Sequence, residues 1–509
     1  MTLDFVKLRD TDNVAIAART VAVGTMGPEG VIAREEIPQA HKIACTDIPA
    51  GGPVRRYGVV IGHATVPIPA GALVSEHMLD LPDAPELTDL PFGTDIVTAL
   101  PVSPVRTFMG YVHQGGQPPE SPGFAGTRNL LAIHTTVQCV AGVVNVAVHR
   151  IRTELLPRFP HVDGVVPITH NYGCGVEIGT PDADIPRRTL HNLVHHPNFG
   201  GQIMMVSLGC EMTPPAALLN DGDNTPENVI VLQEQAGFQA MCDAIVAMAA
   251  KKLALLDTRR REELPLSKLL VGVQCGGSDA FSGVSANPAL GYAGDMLVEA
   301  GATVLFSETT EVRDGVALLA ARCVSAEVRD KLVAEMAWYD RYLAGAGMDR
   351  AANPAPGNKA GGLANIVEKA LGSIAKSGRS PIVEVLAPGE LPSRQGMIYA
   401  ATPAGDFVCG TCQLASGIGV QVFTTGRGTP YGLAATPVIK VSTRHDLKEL
   451  WGDLIDVDAG PVASGEASVQ DLGATLLHEI VDVASGKKPA AERFGIFNDL
   501  CLFNPTPIT

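Results

Sequence analysis

Long apolar runs are missing from this chain: no stretch approaches the roughly 18 uncharged residues that a membrane span requires. The opening Met1-Thr-Leu-Asp-Phe-Val-Lys-Leu-Arg-Asp10 mixes charge into every turn and lacks the apolar centre of a secretion signal. The expected location is therefore the cytoplasm, with no membrane partner. A basic stripe is also missing. The formal charge is -16, which argues against nucleic acid and repels anionic small molecules at long range. An acidic ligand would need a local pocket of Arg, Lys or metal. Aromatic residues are scarce, at 5%, whereas Gly 54 and Pro 37 point to many turns and backbone-lined sites. Ten cysteines in so long a chain, with no sign of export, argue for thiols, metal ligands or core residues and against a disulfide framework.

With 509 residues, 46% of them hydrophobic, the chain has core enough for two or three domains. The first ~80 residues carry short alternating segments, such as Lys42–Cys45 and Val59–Ile61, between dense turn signals, which suits a compact β module. A proline-spaced stretch from Leu81 to Pro104 reads as an extended linker. From about Tyr111, apolar strands alternate with helix-period segments. Expected strands are Leu130–Thr135, Val165–Thr169, Ile203–Leu208, Leu269–Val273, Thr303–Ser307, Ile382–Leu386, Val420–Phe423 and Val438–Val441. Expected helices are Val143–Leu156, Phe238–Leu256, Ala286–Ala300, Ala326–Ala344, Leu363–Lys376 and Val469–Ala484. This alternation predicts a doubly wound α/β architecture, with a break near Asp257–Leu266.

Three strands share one design: each stops at a glycine-flanked cysteine with polar neighbours, at Cys174, Cys210 and Cys275. Open α/β sheets bind ligands outside the carboxyl ends of their strands, so these sulfurs are expected along one edge, holding iron, as single ions or a cluster, or zinc. Buried free cysteine is an equally ordinary core residue. His170, four residues before Cys174, is in reach as ligand or base. Glu308 and Glu311 follow another strand end; either suits a metal, a base, or a helix cap. Cys409-Gly-Thr-Cys412 is a literal CxxC but lacks the setting of a redox motif. Thr424–Gly432, with Thr425 and Arg427, and the glycine-rich loop at Lys359 are suited to an anion such as a carboxylate. Glu368 and Lys369 follow that loop. His41 precedes a strand of the β module.

Longer stretches carry more than periodicity does. Thr11-Asp-Asn-Val-Ala-Ile16, His41-Lys42, His170-x-Tyr-Gly-Cys-Gly175, Leu208-Gly-Cys-Glu211, Cys275–Gly283, Ser307-Glu308, Ser373–Gly378, Asp406–Gly410 and Phe423–Gly432 together resemble the altronate/galactarate dehydratase family over essentially the whole chain. The resemblance implies an N-terminal SAF-type β-clip module over 1–82, a linker over 83–108, a second α/β domain used in dimerisation over 109–258 and a Rossmann-like, mostly parallel C-terminal domain over 259–509. It implies a cytoplasmic homodimer that removes water from a sugar diacid, galactarate, to give 5-dehydro-4-deoxy-glucarate. Dependence on ferrous iron is also implied, with an Fe–S cluster or another divalent cation as variants. Cys174, Cys210, Cys275 and Glu308 are the expected metal set, and His170, His41 and Lys42 the expected acid–base groups. Arg128, Asn129, Ser278, Lys359, Thr425 and Arg427 are expected to hold the substrate. One departure is the Gly110–Asn129 segment, longer than the family pattern and lacking its Arg and Asp. Altronate or a sulfonated hydroxy acid is the rival substrate, and a non-catalytic sugar-acid binder the rival class.

Overall fold

The computed structural model describes residues 3–113, 122–176 and 178–506. Most of the unusual segment between His113 and Gly126 lies outside the described residues. At the N-terminus, Phe5–Val6, Val14–Ala17, Lys42–Ala44 and Leu73–Val74 form one antiparallel sheet, and Pro53–Arg56, Val59–Ala64 and Leu79–Asp80 another. The turn from Arg56 to Val59 puts both Tyr57 and Gly58 at positive φ, 59° and 78°. Two left-handed residues match the right-handed twist of the flanking strands. Buried Asp12 holds this turn by accepting from Tyr57 N at 3.2 Å and Gly58 N at 2.7 Å. Tyr57 packs against a cluster that joins the module's own core to Val367 and Leu371 of the C-terminal domain.

The expected linker runs against the C-terminal domain rather than through solvent. Leu90 joins that domain's core, the Arg329 guanidinium sits 5.2 Å over the Phe92 ring, and Thr107–Gly110 pairs antiparallel with Glu262–Pro265. Neither strand of that pair shows a strand period in the sequence, one lying at the end of a proline-rich stretch and the other in a charged one.

The α/β portion holds two parallel sheets. In the first the order is Gly164–Ile168, Leu130–Thr135, Met205–Ser207, Val229–Val231. Its first helix, Ala141–Arg150, was expected to reach Leu156 but passes into a π turn over Ile151–Leu155. Pro157 has no N–H and its ring crowds the preceding turn, so an α-helical ladder cannot continue there.

The second sheet has seven parallel strands, in the order Ile382–Leu386, Met397–Ala400, Thr303–Phe306, Leu270–Cys275, Val420–Thr425, Val438–Ser442, Val457–Asp458. Its inner strands are buried on both faces, which explains their unbroken apolar runs. The chain starts at the central Leu270–Cys275 strand, builds toward one edge, then returns to the other side of it at Val420–Thr425. Connections diverge there, so the crevice at the carboxyl ends of these two strands is where the fold places a ligand. No helix among the described residues is long and apolar enough to cross a membrane.

Candidate active site

The chain leaves the central strand as Cys275-Gly276-Gly277-Ser278-Asp279. Gly277 has φ +59°, and a Cβ there would stand 2.9 Å from Thr429 Oγ1 and 3.0 Å from Thr425 Oγ1. At Gly276 a Cβ would come within 2.5 Å of the Asp406 carboxylate. Only glycine lets the backbone pass this close to the neighbouring strand end. Next door, Glu308 follows Thr303–Phe306 at φ +76°, a left-handed conformation that costs a non-glycine residue about 1–2 kcal/mol. Such strain collects at functional sites, where surrounding structure enforces it. Here Glu308 N donates to Thr402 Oγ1 at 3.1 Å.

That backbone aims Glu308 into a cluster sealed from solvent. Glu308 Oε2 lies 2.5 Å from Lys376 Nζ and accepts from Cys275 N at 3.3 Å. Lys369 Nζ lies 2.6 Å from Glu311 Oε1, and Asp406 lies alongside, accepting from Gln274. Among the described residues, Glu308 Oε1 and Glu311 Oε2 are buried without a hydrogen-bond partner. Three carboxyl groups therefore face two ammonium groups. Burial pushes Glu308 up to about 8, with Lys376 pulling back and Glu311 pushing further, and raises Asp406 to about 6, helped by Glu311. Burial opposes the charges of Lys376 and Lys369, but the carboxylates outweigh it and hold both ammonium groups above their ordinary range. The cluster thus keeps a proton near neutrality.

A cavity of about 10 Å³, room for about one water, adjoins it, lined among others by Cys275, Ser278, Lys369, Ser373 and Tyr57 of the N-terminal module, so a sugar acid enters only if the module shifts. The module is bolted there by charge. Arg56 and Lys42 both meet Glu368, the latter at 2.9 Å, while Lys42 Nζ also donates to Gly362 O at 2.6 Å and Arg56 to Ala280 O at 2.7 Å. All three side chains are buried, so removing one would strand the others' charge. Lys42 is thus an interdomain bolt, not the expected acid–base group. His41, beside it, donates from Nδ1 to Gln39 O at 3.0 Å. A carbonyl only accepts, so Nδ1 carries the proton and Nε2 keeps its lone pair. Gln39 itself accepts from Arg444, which lies 3.2 Å from Asp279, so this loop borders the same edge.

The other expected residues divide sharply. Cys275, Ser278 and Glu308 come together, Cys275 Sγ standing 3.0 Å from Ser278 Oγ. Thr425 accepts from Gly428 N, and Arg427, exposed, donates its N–H to Gly277 O at 2.8 Å. Lys359 sits half-buried on the Pro356–Ala360 turn, which Asn358 ties to Ser278 O at 2.8 Å. Thr425, Arg427 and Lys359 thus flank the crevice. Arg128 is instead consumed by Glu492, Val483 O and Lys487 O, bracing the second domain against the C-terminal one, and Asn129 by His161 O and Leu256 O within the second domain and by Arg259 just beyond it. His170 donates from Nε2 to Thr135 O at 2.8 Å and accepts at Nδ1 from Tyr172 N at 3.1 Å. With both nitrogens used, and burial lowering it to about 4, it is a neutral loop brace and has no lone pair for a proton.

The metal set is likewise not assembled. Cys174 and Cys210 are exposed, on adjoining loops of the second domain linked by Met212 N to Gly173 O at 3.1 Å. Cys275 is buried at the other sheet, its thiol pushed up by burial and so held as S–H. Glu308 already has an ammonium beside it. No three His, Cys, Asp or Glu side chains among the described residues are gathered to hold a metal ion. The arrangement does not fit the expected iron. Cys409 and Cys412 are buried on the Asp406–Ala415 helix, and burial drives both thiols up, Cys412 to about 12, against redox use.

Family models match three successive stretches: the altronate/galactarate dehydratase SAF domain at 3–82, the D-galactarate dehydratase/altronate hydrolase second domain at 119–257, and the D-galactarate/altronate dehydratase C-terminal domain at 266–508. The chain belongs to the D-galactarate/altronate dehydratase family. It is 53% identical to the galactarate dehydratase (L-threo-forming) of Escherichia coli (strain K12) across 100% of this chain and 98% of that one. The altronate dehydratases of Bacillus subtilis (strain 168) and Escherichia coli (strain K12) are 32% and 33% identical, each across 98% of this chain and 98% and 99% of theirs. The (2R)-sulfolactate sulfo-lyase subunit beta of Chromohalobacter salexigens is 30% identical, across 77% of this chain and 95% of its own length.

Sequence reasoning missed Lys376, Ser373, Asp406 and the roof made by Tyr57. Lys376 and Ser373 lay inside a stretch that carries the family resemblance, three residues apart at the end of an expected helix. That spacing puts them on one face, and was the signal available.

Proposed function

We propose that this dehydratase acts on galactarate, removing water to give 5-dehydro-4-deoxy-glucarate at the carboxyl edge of the seven-stranded sheet. The observation that carries the choice of substrate is the 53% identity, end to end, to a galactarate dehydratase, against 32% and 33% to altronate dehydratases. The site's chemistry supports it. A proton α to a carboxylate is weakly acidic, and its removal adds negative charge to a group already charged. Lys369, an ammonium on the cavity wall, faces that developing charge where water is excluded and Coulomb attraction is strong. Arg427 and Lys359 flank the crevice for the second carboxylate, which offsets the repulsion of an acidic protein locally. His41 Nε2 is suited to take the α-proton, a role contributing about 10²–10⁴-fold. The carboxyl–ammonium cluster supplies a proton for the departing hydroxyl.

The same reading makes the working unit a cytoplasmic homodimer whose partner is a small sugar diacid, neither nucleic acid nor membrane. Light scattering on the purified protein checks the dimer. Metal analysis after anaerobic purification checks the iron that the family resemblance implies.

A panel of aldarates and aldonates, assayed anaerobically with ferrous iron and semicarbazide trapping of keto acid, tests the substrate. Turnover of galactarate with little of altronate is expected. Altronate turnover alone would reverse the choice, and galactarate binding without keto acid would favour a sensor.

A further inference from the structure

The Ile366–Ile374 helix ends with Ser373 facing the cavity, and Lys376 follows in the next turn. Lys376 Nζ donates to Ser373 Oγ at 2.5 Å and lies 2.5 Å from Glu308 Oε2. Ser373 Oγ thus accepts a charged hydrogen bond through a lone pair and keeps its own O–H to donate. Serine and lysine at this spacing recur elsewhere around a serine nucleophile. Here the surroundings point the other way. Glu308 and Glu311 keep Lys376 charged, and a charged ammonium beside a hydroxyl makes it a proton donor rather than a nucleophile. Two further wall residues are tied to the same network: Cys275, whose N–H donates to Glu308, and Lys369, paired with Glu311.

We propose that Ser373 is a catalytic residue of this dehydratase, handing its hydroxyl proton to the departing β-hydroxyl, and that Lys376 positions and reprotonates it. As the C–O bond breaks, its electron pair leaves with the oxygen, which takes the Ser373 proton and departs as water. Lys376 Nζ returns a proton to Ser373, and Glu308, its buried neighbour, recharges Lys376. The α-proton taken by the base on the substrate's other side is later released, so the proton count closes and nothing is oxidised or reduced. The inference rests on the water-elimination reading above.

The test is Ser373→Ala, assayed with galactarate in D₂O while following both keto acid and deuterium in the recovered galactarate. Keto acid is expected to form about 10²–10⁴-fold more slowly, while deuterium still enters the α position because the base is intact. Ser373→Thr, which keeps a hydroxyl, is expected to recover most of the rate. Ser373→Ala turning over within about threefold of wild type would overturn the relay, and so would loss of exchange together with turnover in a folded variant. If the wild-type protein itself forms no keto acid from any sugar acid, the water-elimination reading fails, and the relay with it.

Discussion

The four-stranded sheet of the second domain and the seven-stranded sheet of the C-terminal domain both end in cysteine, glycine and glutamate, yet their carboxyl edges differ. At the first, Cys174 and Cys210 are exposed, and Glu211 accepts from the hydroxyls of Ser207 and Thr136 and from the backbone of Leu208 and Gly209. Burial alone would raise Glu211, but those hydrogen bonds hold it below the usual carboxylate range. At the second, Glu308, Glu311, Lys369 and Lys376 are buried together, and Glu308 is raised. Similar residues therefore become a hydrogen-bonded acid held low in one place and a buried acid raised by burial in the other. Dryness, imposed by the N-terminal module above and the helix beside, makes that difference. It also strengthens every charge acting on a substrate.

Substitutions at the two edges sharpen the comparison most. Glu308→Gln is expected to lower galactarate turnover about 10²–10⁴-fold, whereas Cys174→Ser and Cys210→Ser are expected to stay within about threefold of wild type. Steady-state kinetics on purified variants checks this, and the reverse order would move the chemistry to the second domain. The bolt that keeps the site dry comes next. Arg56→Met leaves Glu368 with one cation fewer and is expected to cost about 3–5 kcal/mol, read as a lower denaturant midpoint. Thiol accessibility follows: alkylation in native buffer is expected at Cys139, Cys174 and Cys210, and at Cys275, Cys409 and Cys412 only after unfolding, as peptide mass spectrometry will show.

The smallest effect is on stability against pH. Glu308 goes from an ordinary 4.5 to about 8 and Asp406 from 3.8 to about 6. The folded state binds these protons more tightly, so their contribution is complete below about pH 4 and is lost as pH rises toward 8. Urea midpoints that decline from pH 5.5 to 8.5 in the wild type, and decline less in Glu308→Gln, are expected.

Much of the fold was legible because its strands and helices are long enough to show their period. Phe238–Leu256 and Val469–Ala484 end where expected. The four-residue strand Met397–Ala400 was not, since so short a buried run has no period to read. At the site, glycine and strand ends pointed to Cys275, Ser278 and Glu308. They pointed equally to Cys174 and Cys210, because motif design does not reveal which sheet a strand joins. Arg128 and Asn129 stood out as polar residues at a strand start, yet their partners, Glu492, Val483 and Arg259, lie more than a hundred residues away. His170 and His41 look alike in sequence. Only the hydrogen bonds separate them: both ring nitrogens are used at His170, and at His41 the bond found is that of Nδ1 to Gln39 O.

Locating bound galactarate in a crystal of the Ser373→Ala variant tests the central claim most directly. The account predicts difference density at the carboxyl edge of the seven-stranded sheet, reaching Lys369 and residue 373, with Tyr57 displaced from its place over them. Galactarate bound instead beside Cys174 and Cys210 would contradict it.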